Sequence, residues 1–257
     1  MPTVLTARDG AALTITLNRP DAYNAFTREL HSELHEALIG AAADADVRAV
    51  VVTGAGKAFC AGQDIREFQQ LPGSISDALA ETYHPNVRAI RALRKPVIAA
   101  VNGAAAGAGL SLACACDVRV ASSAATFVPG FIGIGLVPDS GGSWFLHRLL
   151  GFARAFEWMA SNRRLSAVEA LDWGLVSEVV PADGFEERVR ELAAEWAARP
   201  TLGVASTKQL FDAASASSLE EQLALEAELQ DVATQSEDFR EGVAAFLEKR
   251  LPSFRGR

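Results

Sequence analysis

Three separate parts of the chain hold residue types that could bind a ligand or react with it: residues 61–64, residues 103–109 and Asp139. The first two are turns that contain glycine and alanine, which let main-chain N–H groups approach a ligand closely. Such N–H groups stabilise a phosphate, or the negative oxygen that develops on a reacting carbonyl. Asp139 lies in a mostly apolar segment, where burial would raise its pKa and suit it to act as a general base.

Both features also have a purely structural explanation. The small residues at 103–109 suit close packing of a helix against a strand, and on that stretch alone packing is the more frequent reason for them. Asp139 is followed by Ser-Gly-Gly and a predicted helix, so its side chain could simply cap that helix. The residue types alone leave both explanations open.

Two motifs for phosphate or dinucleotide binding are incomplete. Residues 54–57 follow an apolar run as a P-loop would, but they lack the first glycine and the final Ser/Thr of that motif. Gly107 and Gly109 are not followed by the third glycine of a dinucleotide fingerprint, because Leu112 stands there. Neither motif therefore predicts a nucleotide site.

No metal-binding pattern is complete either. His31 and His35 lie one helical turn apart, but Ser32 replaces the glutamate of a zinc-protease helix, so we expect these histidines on a solvated face. The sparse cysteines have no metal-type spacing and are expected to be buried thiols in a reducing compartment. They are Cys60, Cys114 and Cys116.

Composition excludes several classes of protein. The chain has 257 residues, of which 49% are hydrophobic and 22% charged, and this composition is typical of a globular protein. The net charge of −8 argues against nucleic acid or an anionic membrane as a partner. No apolar run approaches the roughly 20 residues of a membrane span, and the first residues do not resemble a signal peptide. We therefore expect a cytoplasmic protein.

The elements that must position these residues alternate between strand and helix over the first 180 residues, and the last 75 are helical. This order predicts an α/β core with a helical C-terminal part. Strands are predicted at residues 12–17, 49–53, 97–101, 118–121 and 176–180. Helices are predicted from a cap at Thr27, at 77–93 with a bend at Pro85, at 143–150, 153–160, 167–173, 185–198 and 218–250. Residues 66–76 are predicted to form a loop, and the glycine-rich residues 127–142 a loop that lines an apolar pocket.

Six collinear segments resemble the enoyl-CoA hydratase/isomerase (crotonase) family over essentially the whole chain. They are Leu17–Phe26, Phe59–Ile65, Pro96–Gly109, Cys116–Asp117, Gly135–Gly142 and Glu241–Arg250. The resemblance implies an α/β fold in which ββα repeats form a spiral, followed by a C-terminal helical trimerisation region. It implies a core with the CoA and acyl site at residues 1–195 and a helical region at 196–257. The expected substrate is an acyl-CoA thioester, with no metal and no separate cofactor, in a homo-trimer or hexamer.

The resemblance also implies a role for individual residues. The main-chain N–H groups of Gln63 and Ala108 match the family's oxyanion hole. Residues expected along the CoA and the acyl group are Ala25, Ala61, Asp64, Ile65, Gly107, Tyr83 and Phe131. Two residues match those that close the adenine and phosphate site, from the same or from a neighbouring subunit: Phe246 and Lys249.

The departures from the family pattern decide the expected reaction. Ser111 and Phe131 stand where hydratases carry two catalytic glutamates, so efficient hydration is not expected. Asp139 matches the acid/base position of dienoyl-CoA isomerases and of the ring-epoxide isomerases of phenylacetate degradation. The resemblance therefore implies an isomerase that shifts a double bond or opens a ring epoxide to an oxepin. An atypical hydratase and a catalytically weak acyl-CoA-binding protein remain the alternatives. The role of His84, which matches a catalytic histidine of related dehalogenases, is left open.

Overall fold

The computed structural model describes residues 1–69 and 73–257, which form ten strands and twelve α-helices. In chain order the strands are β1 (Val4–Asp9), β2 (Ala12–Leu17), β3 (Ala49–Gly54), β4 (Ala58–Cys60), β5 (Val97–Val101), β6 (Ala104–Ala106), β7 (Val118–Ser122), β8 (Thr126–Val128), β9 (Leu165–Ser166) and β10 (Glu178–Val180). One sheet has the order β1-β2-β3-β5-β7-β10 and the other the order β4-β6-β8-β9. From β2 onward the first sheet is parallel, and β1 pairs antiparallel with β2.

Each turn of the chain gives one strand to each sheet and then a helix. Thus β3, β5 and β7 lie side by side in the first sheet, while β4, β6 and β8 lie side by side in the second. The helices are α1 (Arg28–Ala43), α2 (Ile65–Phe68), α3 (Ile75–Ala78), α4 (His84–Ala92), α5 (Ala108–Ala115), α6 (Gly142–Leu150), α7 (Phe152–Ser161), α8 (Ala167–Asp172), α9 (Phe185–Ala197), α10 (Thr201–Ala214), α11 (Leu219–Thr234) and α12 (Glu237–Glu248). The predicted spiral of ββα units, with helices at the C-terminal end, is confirmed.

The buried strands form as their composition predicts. All five residues of β5 are buried, and β3 is buried except at Thr53, as expected for parallel strands covered on both faces. The leucine stripe of α1 covers one face of the sheet, and α9 packs on the opposite face. The predicted cap at Thr27 is confirmed, since its side chain accepts a hydrogen bond from Leu30 N at 3.2 Å. The predicted helix at 218–250 is divided into α11 and α12 at Gln235–Ser236.

The helix predicted at 77–93 begins earlier and contains a π-helical turn. Residues 79–83 form this turn between α3 and α4, and the His84 N–H reaches Leu79 O, five residues back. Pro85 explains the turn, because proline has no N–H to donate and its ring collides with the carbonyl four residues earlier. The prediction of a loop at residues 66–76 is wrong for 66–68, which belong to α2, and for 75–76, which belong to α3. Residues 70–72 of that predicted loop lie outside the described residues.

The expectation that His31 lies on a solvated face is wrong. His31 is only 4% exposed. Its ring stacks on Phe26 with centroids 4.5 Å apart and meets the edge of Tyr83 at 4.0 Å. Burial lowers its pKa from 6.5 to about 3, helped by the charge of Arg28, so the ring is neutral at neutral pH. The helix bearing Tyr83 covers this side of α1, a long-range contact that the spacing of His31 and His35 does not reveal.

Replacing His31 with phenylalanine is expected to remove part of the acid sensitivity of the fold. The unfolded histidine ionises near pH 6.5, whereas the folded one stays neutral to about pH 3, so stability is lost as the pH falls between these values. From pH 7.5 to pH 5.0 this loss is about 2 kcal/mol for one such group. Urea unfolding at the two pH values measures it. His147→Phe, on the exposed side of α6, is the matched control and should keep the full pH dependence; an equal dependence in His31→Phe would contradict the assignment.

The C-terminal helices expose apolar side chains, among them Phe246 at 83% and Leu247 at 74%. The residues after α12 are nevertheless held in place, because buried Asp238 accepts hydrogen bonds from Arg255 N and Gly256 N. Trimerisation through these helices, and the division at residues 195/196, stay predictions. None of the helices in the described ranges is long and apolar enough to cross a membrane.

Candidate active site

The turn after β4 directs the main-chain N–H of Gln63 away from Phe26, its partner in a β-bridge. Phe26 forms a parallel bridge with Gln63, using Gly62 O and Asp64 N. In such a bridge the N–H of the residue between the two bonded groups, here Gln63, points to the side opposite to Phe26. Gly62, at φ +88°, makes the turn tight enough for this arrangement. Among residues 1–69 and 73–257 no acceptor is bonded to the Gln63 N–H.

The second N–H is that of Ala108, the first residue of α5. The four N-terminal N–H groups of a helix have no partner within the helix, and Gly107, at φ +53°, supplies no side-chain cap. The N-terminus of α5 lies against the turn after β4: a Cβ on Gly109 would collide with Cys60 O, and one on Gly62 would lie 3.4 Å from Ala108 N. Close packing of the turn after β4 against α5 thus places the segment that carries Gln63 beside the N-terminus of α5, where Ala108 lies.

Most of the predicted site residues meet in one cavity of about 200 Å³. The predicted residues that line it are Ala61, Gln63, Ile65, Tyr83, Gly107, Ala108, Phe131 and Asp139. The prediction that loop 127–142 lines an apolar pocket is confirmed, since Ile134 and Leu136 also line the cavity. Four predicted residues are not among those that line it: Ala25, Asp64, Phe246 and Lys249.

Asp139 reaches this cavity from a loop. A hydrogen bond to the main-chain oxygen of Asp139 holds this loop in place. Ser111 Oγ donates to Asp139 O at 3.0 Å, and Ser140 Oγ donates to Asp139 Oδ1 at 2.9 Å. Helix α6 begins only at Gly142 and has no side-chain cap, so the N-cap explanation of Asp139 is wrong. Burial raises the pKa of Asp139, while the Ser140 hydrogen bond and the charge of His84 hold it partly down. Its carboxylate is thus a stronger base than an exposed aspartate.

Tyr83 connects the cavity wall to the turn that carries Gln63. Its hydroxyl donates to Gln63 Oε1, and burial raises the pKa of the phenol so that it keeps its proton. Behind it lie His31 and Phe26, and the main chain of Phe26 pairs with the Gln63 turn. The aromatic cluster and the bridge together fix the orientation of the Gln63 N–H.

Asp64 has a local structural role. Its carboxylate accepts from Arg19 Nη2 at 2.9 Å and from Arg66 N at 3.1 Å, where it caps α2. These hydrogen bonds and the charge of Arg19 outweigh burial and lower its pKa. Its predicted contact with CoA stays a prediction, as do those of Ala25, Phe246 and Lys249.

The positions of the two missing glutamates are filled in the structure. Ser111 is buried beneath the Asp139 loop, and Phe131 lines the cavity. Of the described residues that line the cavity, Asp139 alone carries a carboxylate. Within the described ranges no three His, Cys, Asp or Glu side chains are grouped so that they could hold a metal ion.

Sequence reasoning missed several residues that shape the cavity. Apolar residues of α2, of α3 and of the π-helical turn after α3 form a wall of the cavity that we did not assign: Phe68, Ile75, Ala78 and Leu79. The i, i+3, i+4 spacing of the last three was the available signal. Ser111 was considered only as a lost glutamate, and its hydrogen bond to the Asp139 main chain has no signature in the sequence.

Comparisons with known proteins agree with this architecture. The family model described as enoyl-CoA hydratase/isomerase matches residues 7–257. The 1,2-epoxyphenylacetyl-CoA isomerase of Escherichia coli K12 is 41% identical over 100% of both chains. A probable enoyl-CoA hydratase of Rhodobacter capsulatus is 46% identical over 95% of this chain and 94% of its own. The crystal structure of an enoyl-CoA hydratase from Polaromonas sp. JS666 superposes with a TM-score of 0.92 at 39% identity, covering 98% of this chain and 99% of that one.

Proposed function

Because the chain belongs to the enoyl-CoA hydratase/isomerase family, we propose that it is an acyl-CoA isomerase with Asp139 as its acid/base. The observation that supports this reaction is a cavity lined by one half-buried carboxylate, that of Asp139, and by the two residues whose main-chain N–H groups, within the described part of the chain, are free to bind the thioester oxygen. A single base can move a proton from one carbon to another, whereas adding water requires a base and an acid to act at once. Relatives carry both isomerase and hydratase names, so the distinction rests on this chain's own residues.

The proposed reaction begins with the thioester oxygen between the N–H groups of Gln63 and Ala108. Each such donor is worth about 3 kcal/mol as negative charge develops on that oxygen. Because this stabilises the enolate, the proton at C2 becomes acidic enough for Asp139 to remove, and its bonding electrons pass to the thioester oxygen. Asp139 then returns the proton at C4, which moves the double bond from the 3,4 to the 2,3 position. On a ring epoxide the same groups would help to open the ring to an oxepin.

The coenzyme belongs to the substrate in this proposal. The CoA portion would run from the two N–H groups past Ala61 and Ile65, which line the cavity, toward Ala25 and Asp64. No separate cofactor and no metal are needed, because the N–H pair supplies the electrophile. Phe246 and Lys249 do not line the cavity, and any contact with the adenine would be made farther out.

Hydration is the second candidate, and the name of the Rhodobacter relative favours keeping it. In this chain Ser111 donates to the Asp139 main chain, and Phe131 presents a hydrocarbon ring to the cavity. Neither can activate water or protonate a carbanion. We therefore expect crotonyl-CoA to be hydrated far more slowly than a 3-enoyl-CoA is isomerised.

Proton NMR of a 3-enoyl-CoA in D₂O tests the proposal directly. The expected result is a shift of the double bond together with exchange of the C2 proton. Water addition to crotonyl-CoA at a comparable rate would support the hydratase instead. Tight thioester binding with neither isomerisation nor C2 exchange, on aliphatic and ring-epoxide substrates alike, would indicate a binding protein.

The pH dependence of kcat/KM is a further prediction. Asp139 must be ionised to accept the C2 proton, and burial raises its pKa above the usual value near 3.9. Activity should therefore fall on the acid side with a midpoint above that of an exposed aspartate. His84→Gln removes a charge that holds this pKa down, so the midpoint should move to higher pH. A midpoint unchanged in that variant would contradict the assignment of the acid limb to Asp139.

A further inference from the structure

The turn that carries Asp139 has an unusual backbone conformation at the next residue, Ser140. The Gly142 N–H donates to Asp139 O at 2.8 Å, which closes a four-residue turn. Its two central residues both lie in the left-handed region, Ser140 at φ +52° and Gly141 at φ +82°. Such turns favour glycine, asparagine and aspartate, because a residue with a Cβ is strained at positive φ. Glycine at position 140 would avoid that strain, which indicates that the serine hydroxyl has a function of its own.

The Ser140 hydroxyl is buried against the carboxylate of Asp139. Ser140 is only 4% exposed, and its Oγ donates to Asp139 Oδ1 at 2.9 Å. Consecutive side chains of an extended segment point to opposite sides, so this contact between neighbours depends on the turned backbone. Within residues 1–69 and 73–257 the other carboxylate oxygen, Oδ2, accepts no hydrogen bond. One oxygen of Asp139 is therefore held, and the other is available to a substrate in the cavity that Asp139 lines.

Separate hydrogen bonds hold the main chain of Asp139. Its carbonyl oxygen accepts from Gly142 N and, at 3.0 Å, from Ser111 Oγ. Glycine at position 142 allows this approach, because a Cβ there would lie 2.6 Å from Ser111 Oγ. These contacts fix the position of the Asp139 backbone, but they leave its side chain free to rotate about the Cα–Cβ and Cβ–Cγ bonds. The hydrogen bond from Ser140 restricts that rotation.

We propose that Ser140 is a positioning residue, which holds Oδ1 of Asp139 so that Oδ2 exchanges the proton with C2 and C4 of the substrate. This inference rests on the proposed function and adds which oxygen of the base acts. Oδ2 forms its O–H bond as the C2–H bond breaks, and the electron pair of that C–H bond passes into the dienolate. The same proton then leaves Oδ2 for C4, where an electron pair of the dienolate forms the new C–H bond and the thioester carbonyl is restored. Ser140 keeps its own proton throughout, and its hydrogen bond keeps one oxygen within reach of both carbons.

The titration of Asp139 reports on this contact. Of the described residues, His84 of α4 and Tyr83 of the π-helical turn are the titratable groups that face Asp139, and α5 contributes the uncharged hydroxyl of Ser111. The charge of His84 lowers the pKa of Asp139, and the Tyr83 phenol keeps its proton. The hydrogen bond from Ser140 also lowers that pKa, because it stabilises the ionised carboxylate. Loss of the hydroxyl should therefore raise the pKa of Asp139 by about one unit while its other neighbours are unchanged.

The test removes the hydroxyl in two ways. Ser140→Ala keeps the Cβ, whereas Ser140→Gly adopts positive φ without strain and so provides a folded variant if the first is unstable. Both are expected to lower kcat/KM for a 3-enoyl-CoA about 10- to 100-fold and to move its acid-side midpoint up by about one pH unit. Ser140→Cys retains a weaker donor and should give intermediate values. Ser122→Ala is the matched control: it removes another buried serine, whose Oγ accepts from Ala124 N at 3.2 Å, and should change neither quantity.

Carbon NMR of the Asp139 carboxyl group in the substrate-free enzyme separates this inference from the proposed reaction. The signal is identified by its loss in Asp139→Asn, and its titration should move to higher pH in Ser140→Ala and Ser140→Gly but not in Ser122→Ala. An unshifted titration would overturn the proposal, and so would an unchanged kcat/KM in both folded variants. If the wild type isomerises neither aliphatic nor ring-epoxide thioesters, the proposed function fails. The titration then decides alone, and a shift would still show that Ser140 holds the carboxylate.

Discussion

Asp139→Asn is expected to lower kcat for isomerisation by about 10²–10⁴-fold, the usual contribution of a general acid/base. Asparagine keeps the shape of the side chain and can still accept the hydrogen bond from Ser140 Oγ, but it cannot take a proton from C2. Because the N–H groups of Gln63 and Ala108 are untouched, affinity for the CoA thioester should change little. Single-turnover NMR and calorimetry measure the two quantities separately.

The same variant should be more stable than the wild type at neutral pH. Burial raises the pKa of Asp139 in the folded state, so the folded protein loses stability as the pH rises from the unfolded value near 3.9 through the raised one. Asparagine does not ionise, so the variant does not lose this stability. Its greater free energy of unfolding relative to the wild type should disappear below about pH 3.9. Asp183→Asn, at an exposed position, is the control for both activity and stability. Full isomerase activity in Asp139→Asn would remove Asp139 from the mechanism.

The regular elements could be predicted because their signals are local. The apolar run of β5 and the Thr27 cap of α1 are each determined by a few consecutive residues, and both are present in the structure. The π-helical turn before Pro85 is an intermediate case. Proline predicts a disturbance, but whether the helix bends or takes up an extra residue depends on what packs around it.

The site was predictable only in part, because its parts come from distant segments. The two turns and Asp139 attract attention by their residue types, and the family resemblance adds the roles of Gln63 and Ala108. Neither source predicts that Ser111 supports the Asp139 main chain across 28 residues, or that His31 is buried behind Tyr83. Such contacts depend on which elements the fold brings together, and side-chain type gives no guide to them.

Gly62→Ala is expected to lower kcat about 10²–10³-fold while the protein stays folded, as does loss of one oxyanion donor in other enzymes. A Cβ at position 62 would lie 2.9 Å from Ala106 O and 3.4 Å from Ala108 N, both of them main-chain atoms. The turn after β4 must therefore move away from the N-terminus of α5. That movement would separate the Gln63 and Ala108 N–H groups, which in the proposed mechanism converge on one oxygen.

A matched control distinguishes this effect from ordinary backbone strain. Gly62 has φ +88°, where alanine is destabilised by about 1–2 kcal/mol. Gly174→Ala, at φ +76° between α8 and β10, imposes similar strain with nothing within 4 Å of the new Cβ. Both variants should lose comparable stability in urea unfolding, but only Gly62→Ala should lose kcat, with C2 exchange in D₂O falling in parallel because the enolate itself is less stabilised. Equal activity in the two variants would mean that the close approach of the two turns serves packing alone.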